Sequence, residues 1–145
     1  MKLYTIGFEG KSAQRFFELL KTHGVERVVD IRIYPDSDDA GFASKRDLPY
    51  LLKEVSGITY THMLQLAPTE FILDDFHRHP DKDLYVARFT KLMDERNIPV
   101  SLEKDLFEKQ VCCLLCFEAS AAHCHRRLVA ERMRGHWENV EIMHL

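Results

Sequence analysis

The chain has 145 residues, 46% hydrophobic and 30% charged, with a formal net charge of −3. That length buries a core without help from disulfides or metal, and the composition excludes a disordered or fibrous protein. A near-balanced charge argues against a protein that coats nucleic acid or anionic membrane over its whole surface, and no apolar run approaches the roughly 20 residues that span a bilayer.

Residues 3–6 form a short β-prone run stopped by Gly7. Ser12 opens a helical pattern with Ala13, Phe16, Phe17 and Leu20 on one face, and Gly24 marks its end. Residues 27–33 read as a second strand ended by Pro35. Asp47 is placed to cap a helix carrying Leu48, Leu51, Leu52 and Val55, with Gly57 after it, and residues 58–62 read as a third strand. Residues 63–82 are irregular by pattern. A helix follows over residues 83–96, with Tyr85, Phe89, Leu92 and Met93 on one side, and a further helical turn near residues 102–107. The apolar run 111–117 has the character of a central strand buried on both faces. Residues 123–134 read as the last full helix, closed by Gly135, and 140–144 as a final strand. Strand and helix alternate throughout. The expected architecture is therefore one Rossmann-like α/β domain over residues 1–145, a mainly parallel sheet of about five strands with helices on both faces.

In such sheets ligands bind beyond the carboxyl ends of the strands. The first strand delivers Gly7, Glu9 and Gly10 there, the glycines letting backbone approach a ligand. The second delivers Asp30, Arg32 and Tyr34, the third Tyr60 and His62, and the central strand Cys116 and Glu118. The last helix begins among His123, Cys124, His125, Arg126 and Arg127. A cysteine at a helix N-terminus beside cations is expected to have a lowered thiol pKa. The same N–H groups and guanidinium forks suit a phosphate or carboxylate. The segment thus offers a nucleophile, an oxyanion site or a plain binding pocket, against the bland alternative that Cys124 is a small buried hydrophobe. Asp30 and Arg32 form either a structural ion pair or a unit in which Arg32 holds an anion while Asp30 orients a histidine such as His62.

The four cysteines fall between Cys112 and Cys124, too close together for a secreted disulfide framework, so a reducing cytoplasm and free thiols are expected. Cys113 and Cys116 have the spacing of a zinc knuckle, but alternate side chains of a strand diverge. No cofactor is predicted; zinc on Cys116, Cys124 and one histidine is left open. Asp36, Asp38 and Asp39 read as solvated turn residues, and His77 and His79 as surface.

With these residues assembled, the chain resembles the domain of unknown function 488 family. The resemblance rests on Tyr4-Thr5-Ile6-Gly7 with Glu9 and Gly10, and on Val29-Asp30-Ile31-Arg32 followed by Pro35 and Ser37. Gly41-Phe42 ahead of Lys45 and Tyr60-Thr61-His62 with Leu66 extend it. Its most specific parts are Leu114-Leu115-Cys116-Phe117-Glu118 and Cys124-His125-Arg126. It implies a compact α/β fold with a pocket made of these positions, and it supplies no reaction. The chain departs from the family pattern at Asp38, where many relatives are basic, at Ala67 and at Phe8.

The leading expectation is an enzyme acting on a small anionic or nucleotide-like molecule. Arg32 and Arg126 would bind the anion, Cys124 or Cys116 would be the nucleophile, and His125 or His62 the base or acid. A non-catalytic ligand- or partner-binding module is the rival. A nucleic-acid-associated protein, using Arg126, Arg127, Arg132 and Arg134 of one helix, is the third reading.

Overall fold

The computed structural model describes residues 1–145, the side chain of His123 excepted. Five strands form one parallel sheet: β1 (Lys2–Gly7), β2 (Arg27–Asp30), β3 (Thr59–His62), β4 (Cys112–Cys116) and β5 (Glu141–His144), in the order β3-β2-β4-β1-β5. Helices α1 (Ala13–Thr22) and α2 (Leu48–Leu51) connect β1 to β2 and β2 to β3. Helices α3 (Glu70–Arg78), α4 (Lys82–Glu95) and α5 (Lys104–Lys109) lie between β3 and β4, and α6 (His125–His136) leads into β5.

Alternation along the strands builds two cores. Tyr4, Ile6, Val28, Cys113 and Leu115 face one side and pack against Phe16, Phe17 and Leu20 of α1 and Leu48 of α2. Leu3, Val29, Cys112 and Leu114 face the other and meet Phe89 and Met93 of α4, Phe107 of α5, and Val129 and Met133 of α6. Each such aromatic or aliphatic side chain contributes about 1.5–3 kcal/mol when fully buried. Every residue of β4 is buried, as a central parallel strand requires. No helix among the described residues is long and apolar enough to cross a membrane.

This winding creates a switch point between β1 and β4. The chain leaves β1 over one face through α1 and leaves β4 over the other through α6, so the two loops part above the carboxyl ends of the strands.

The structure departs from the sequence pattern at several elements, each for a local reason. The second strand ends at Asp30 rather than at residue 33, because the Asp30 carboxylate accepts from the backbone N–H of Arg32 at 3.1 Å and turns the chain. Asp47 does not cap α2 with its side chain, which is engaged with Arg46 and Ser44 instead. Beyond Leu51 the helix widens over Leu52–Ser56, and the added width per turn carries Val55 out to solvent, 49% exposed, instead of into the core. The stretch read as irregular contains the whole of α3, started by Thr69, whose side chain accepts from Ile72 N. Helix α6 runs through Gly135 and stops at Trp137, whose indole packs on Phe107.

Candidate functional site

A cleft of about 320 Å3 opens at the switch point. Phe8 and Glu9 line it from the loop after β1, Arg32, Ile33 and Tyr34 from the loop after β2, and Phe117 and Glu118 from the loop after β4. His125 closes it at the start of α6, and Leu73 and His77 of α3 stand over it with Pro68, Ser37 and Asp39.

Arg32 is the centre of the most ordered part. It folds back on Asp30 in a two-pronged pair, Nε to Oδ1 at 2.8 Å and Nη2 to Oδ2 at 2.7 Å, and Nη2 also donates to the Ala43 carbonyl at 2.7 Å. Tyr60 donates its hydroxyl to Asp30 Oδ2 at 2.5 Å, and burial together with that carboxylate pushes the phenol well up. Asp30 is wholly buried and Arg32 is 5% exposed, so the pair stands in a low dielectric where a missing partner would be costly. Yet Arg32 Nη1 is buried and has no hydrogen-bond partner among the described residues. The face of Phe8 lies 5.3 Å from the guanidinium carbon and adds a cation–π contact.

His62 is not brought to this carboxylate. Its Nε2 donates to the Arg32 carbonyl at 2.8 Å, and Lys45 donates to its Nδ1 at 3.3 Å. The Arg32 carbonyl can only accept, which assigns the ring proton to Nε2. His62 therefore braces the backbone that carries Arg32 and does not line the cleft. Tyr60, rather than His62, is the side chain that Asp30 holds.

Behind Glu118 and His125 lies the thiol pair. Cys116 ends β4 and Cys124 is the N-cap residue of α6; both are buried, and their sulfurs are 2.6 Å apart. Arg126 donates Nη1 to Cys116 Sγ at 3.3 Å and to the Glu118 carbonyl at 2.6 Å, and Nη2 to the Ala119 carbonyl at 3.0 Å. It is 1% exposed, so these contacts make it a clamp on the loop after β4 and withdraw its fork from any ligand in the cleft. Arg126 is not among the residues that line the cleft, and its Nε, like Arg32 Nη1, is buried without a hydrogen-bond partner among the described residues. His125 Nε2 donates to the Ile31 carbonyl at 2.8 Å, which leaves the Nδ1 lone pair facing Cys124 Sγ at 3.8 Å. Burial lowers the His125 pKa, so the ring is neutral.

The thiol itself is not as its position at a helix start suggested. Burial, with the hydrogen-bonded Cys116 sulfur beside it, raises Cys124 well above the ordinary thiol range. The helix N-terminus is overridden because the sulfur is buried, 4% exposed, where the charged form is poorly solvated. Burial likewise pushes Cys112 up to about 11 and raises Cys113, and these two lie on opposite faces of the sheet in the apolar cores. Cys116, Glu118 and Cys124 bring their ligand atoms within 4.8 Å of one another, and are the residues that could hold a metal ion among those described.

The two glycines differ in what they do. A Cβ on Gly7 would lie 1.6 Å from the Glu118 carbonyl oxygen and 2.4 Å from Arg126 Nη1, so the close approach that Gly7 permits is to the chain itself and not to a ligand. Gly10 serves the turn into α1 with φ +72. Glu9, Tyr34 and Glu118 do line the cleft. So do Phe8, Phe117, Asp39 and His77, which sequence reasoning left out or set aside as surface. A signal for His77 existed: Thr69 and Glu70 followed by Ile72, Leu73 and Phe76 is a capped amphipathic helix, and His77 lies on its cleft side. The arginines of α6 do not form an open basic face. Arg126 is buried, Arg127 pairs with Glu131 and Arg132 with Asp94, and Arg134 is exposed.

No curated protein and no solved structure matches the chain. The family model described as Domain of unknown function DUF488 matches residues 12–133, which take in the ends of β2, β3 and β4, the thiol pair and nearly all of α6. The chain belongs to that family.

Proposed function

We propose that the cleft binds a small molecule with a flat, apolar or aromatic body and one anionic group, and that Arg32 Nη1 receives that group. The observation that carries this reading is the buried nitrogen without a partner, in a residue of the cleft wall whose other donors are all engaged. A buried donor left unmade costs about 1–3 kcal/mol, which a ligand acceptor would recover on binding. Asp30, the Ala43 carbonyl and Phe8 hold the guanidinium in place beforehand, so the ligand does not have to order it.

The rest of the wall narrows the ligand further. Phe8, Tyr34 and Phe117 suit a planar ring, and a cleft of about 320 Å3 has the size of small-molecule sites. Glu9, Asp39 and Glu118 share the cleft wall with Arg32, so a polyanion such as a nucleoside triphosphate is disfavoured. A monoanion that also carries hydrogen-bond donors, such as a carboxylate or monophosphate on an aminated ring, complements both signs. His125 and Glu118 at the inner wall would then stand beside the bound molecule.

Calorimetric titration with benzoate, a purine nucleoside monophosphate and the matching uncharged nucleoside tests this. Arg32→Lys keeps a cation for Asp30 but removes the fork. The two anions should bind the wild-type protein, the nucleoside more weakly, and Arg32→Lys should lose at least about tenfold in affinity, or 1.4 kcal/mol. Anion affinity that survives Arg32→Lys unchanged would sink the assignment, as would a preference for the uncharged nucleoside.

A further inference from the structure

We propose that Cys116 and Cys124 are a redox-active dithiol that reduces a small peroxide and closes to a reversible disulfide. The geometry carries this independently of what the cleft binds. The two sulfurs are 2.6 Å apart, one at the end of a central strand and the other at the start of the helix that follows, so the fold itself brings them within reach of a bond. Cys112 and Cys113 are buried in the two separate cores, which makes the pairing selective.

Each sulfur has the neighbour its part of the reaction needs. Arg126 Nη1, 3.3 Å from Cys116, offsets negative charge on that sulfur as it attacks. His125 Nδ1, 3.8 Å from Cys124, is an acceptor because its other nitrogen is committed to the Ile31 carbonyl. Glu118 and His125 both touch the thiol pair and both line the cleft, so a small oxidant in the cleft is one side chain away from the sulfurs.

The steps balance. The Cys116 sulfur attacks one peroxide oxygen; the S–O bond forms, the O–O bond breaks, and the departing hydroxide leaves as water with the Cys116 proton. The Cys124 sulfur then attacks the Cys116 sulfenic acid. The S–S bond forms, the S–O bond breaks, and the Cys124 proton passes through His125 Nδ1 to the leaving hydroxide. Two thiols lose two electrons in all, and one hydrogen peroxide becomes two waters.

The same atoms with Glu118 could instead hold a thiophilic cation. The Arg126 guanidinium, which already places a cation against Cys116, weighs against that use.

The test uses the whole chain, reduced, freed of reductant and exposed to stoichiometric hydrogen peroxide without any cleft ligand. Intact mass should fall by two hydrogens, about 2 Da. Alkylation after denaturation should modify Cys112 and Cys113 and spare Cys116 and Cys124, and dithiothreitol should restore all four thiols. Cys124→Ser should stop at a Cys116 sulfenic acid that dimedone traps, and His125→Gln should slow disulfide closure while that sulfenic acid accumulates. If Cys124→Ser does not fold, the wild-type mapping decides alone. Equal alkylation of all four thiols after peroxide, or oxidation first at Cys112 or Cys113, would overturn the proposal. So would stoichiometric zinc in the purified protein that blocks the reaction until chelated. Anion titration of the reduced protein reads the Arg32 assignment separately, so either idea can fail without the other.

Discussion

Two arginines stand buried at this edge of the sheet, one in the loop after β2 and one in the first turn of α6, and they solve the problem of a buried cation in opposite ways. Arg32 is matched by the Asp30 carboxylate, which is itself held by Tyr60, and it keeps one nitrogen in reserve. Arg126, among the described residues, bonds to a sulfur and two carbonyls and to no carboxylate, and its own unpartnered nitrogen, Nε, is not on a cleft-lining residue. The first has its charge balanced inside the protein and its spare donor in a cleft residue. The second spreads its charge over neutral acceptors, with a thiol as its most polarisable neighbour. Arginines alike in burial thus have different surroundings: one is balanced by a carboxylate in the cleft wall, the other holds a loop and faces a sulfur.

The largest effect should come from unbalancing the first arginine. Asp30→Ala leaves the Arg32 charge buried and unpaired, and should cost about 3–5 kcal/mol of unfolding free energy in urea titration. The double replacement Asp30→Ala with Arg32→Met removes both charges and should be distinctly less damaging. A double variant as unstable as the single one would show that the network matters for its shape and not for charge balance.

Arg126→Met should cost less, about 1–3 kcal/mol, because it strands carbonyl acceptors and leaves no charge behind. A loss as large as that of Asp30→Ala would mean that Arg126 is the stronger organiser and would reverse the comparison.

The smallest effect is a pH dependence at the boundary between the two regions, where His125 bridges Ile31 and Cys124. Burial lowers its folded pKa, so between the folded value and the unfolded value of about 6.5 only the unfolded chain takes up the proton. The stabilisation is therefore present above about pH 6.5 and is lost as pH falls below it. Urea midpoints measured at pH 7.5 and 5.5 should fall further for the wild type than for His125→Gln, which keeps a donor for the Ile31 carbonyl. Equal losses would place the acid sensitivity elsewhere.

The alternation of strands and helices was legible because it rests on local pattern: Ser12 caps α1, Phe16, Phe17 and Leu20 face one core, and residues of β4 are apolar without a break. The convergence of Arg32, Glu118 and His125 was legible for a related reason, since a parallel sheet sends the ends of all its strands to one edge. Helix α3 was not read, because Pro68, Pro80 and a run of charges mask a single capped stretch, and with it went His77.

Sequence alone determined the α/β architecture, the edge of the sheet where unusual polar residues gather, and the kinship of the chain, since periodicity and short motifs are local properties. Tertiary structure alone decided the roles at that edge. Which carboxylate meets which guanidinium, that His62 braces a backbone while Tyr60 takes Asp30, and that Cys124 is buried against Cys116 all depend on the β2-β4-β1 order and on side chains turning back over a few ångströms. Burial is likewise set by packing from distant segments, which is why the same Cys124 that a helix start would acidify is held protonated in the fold.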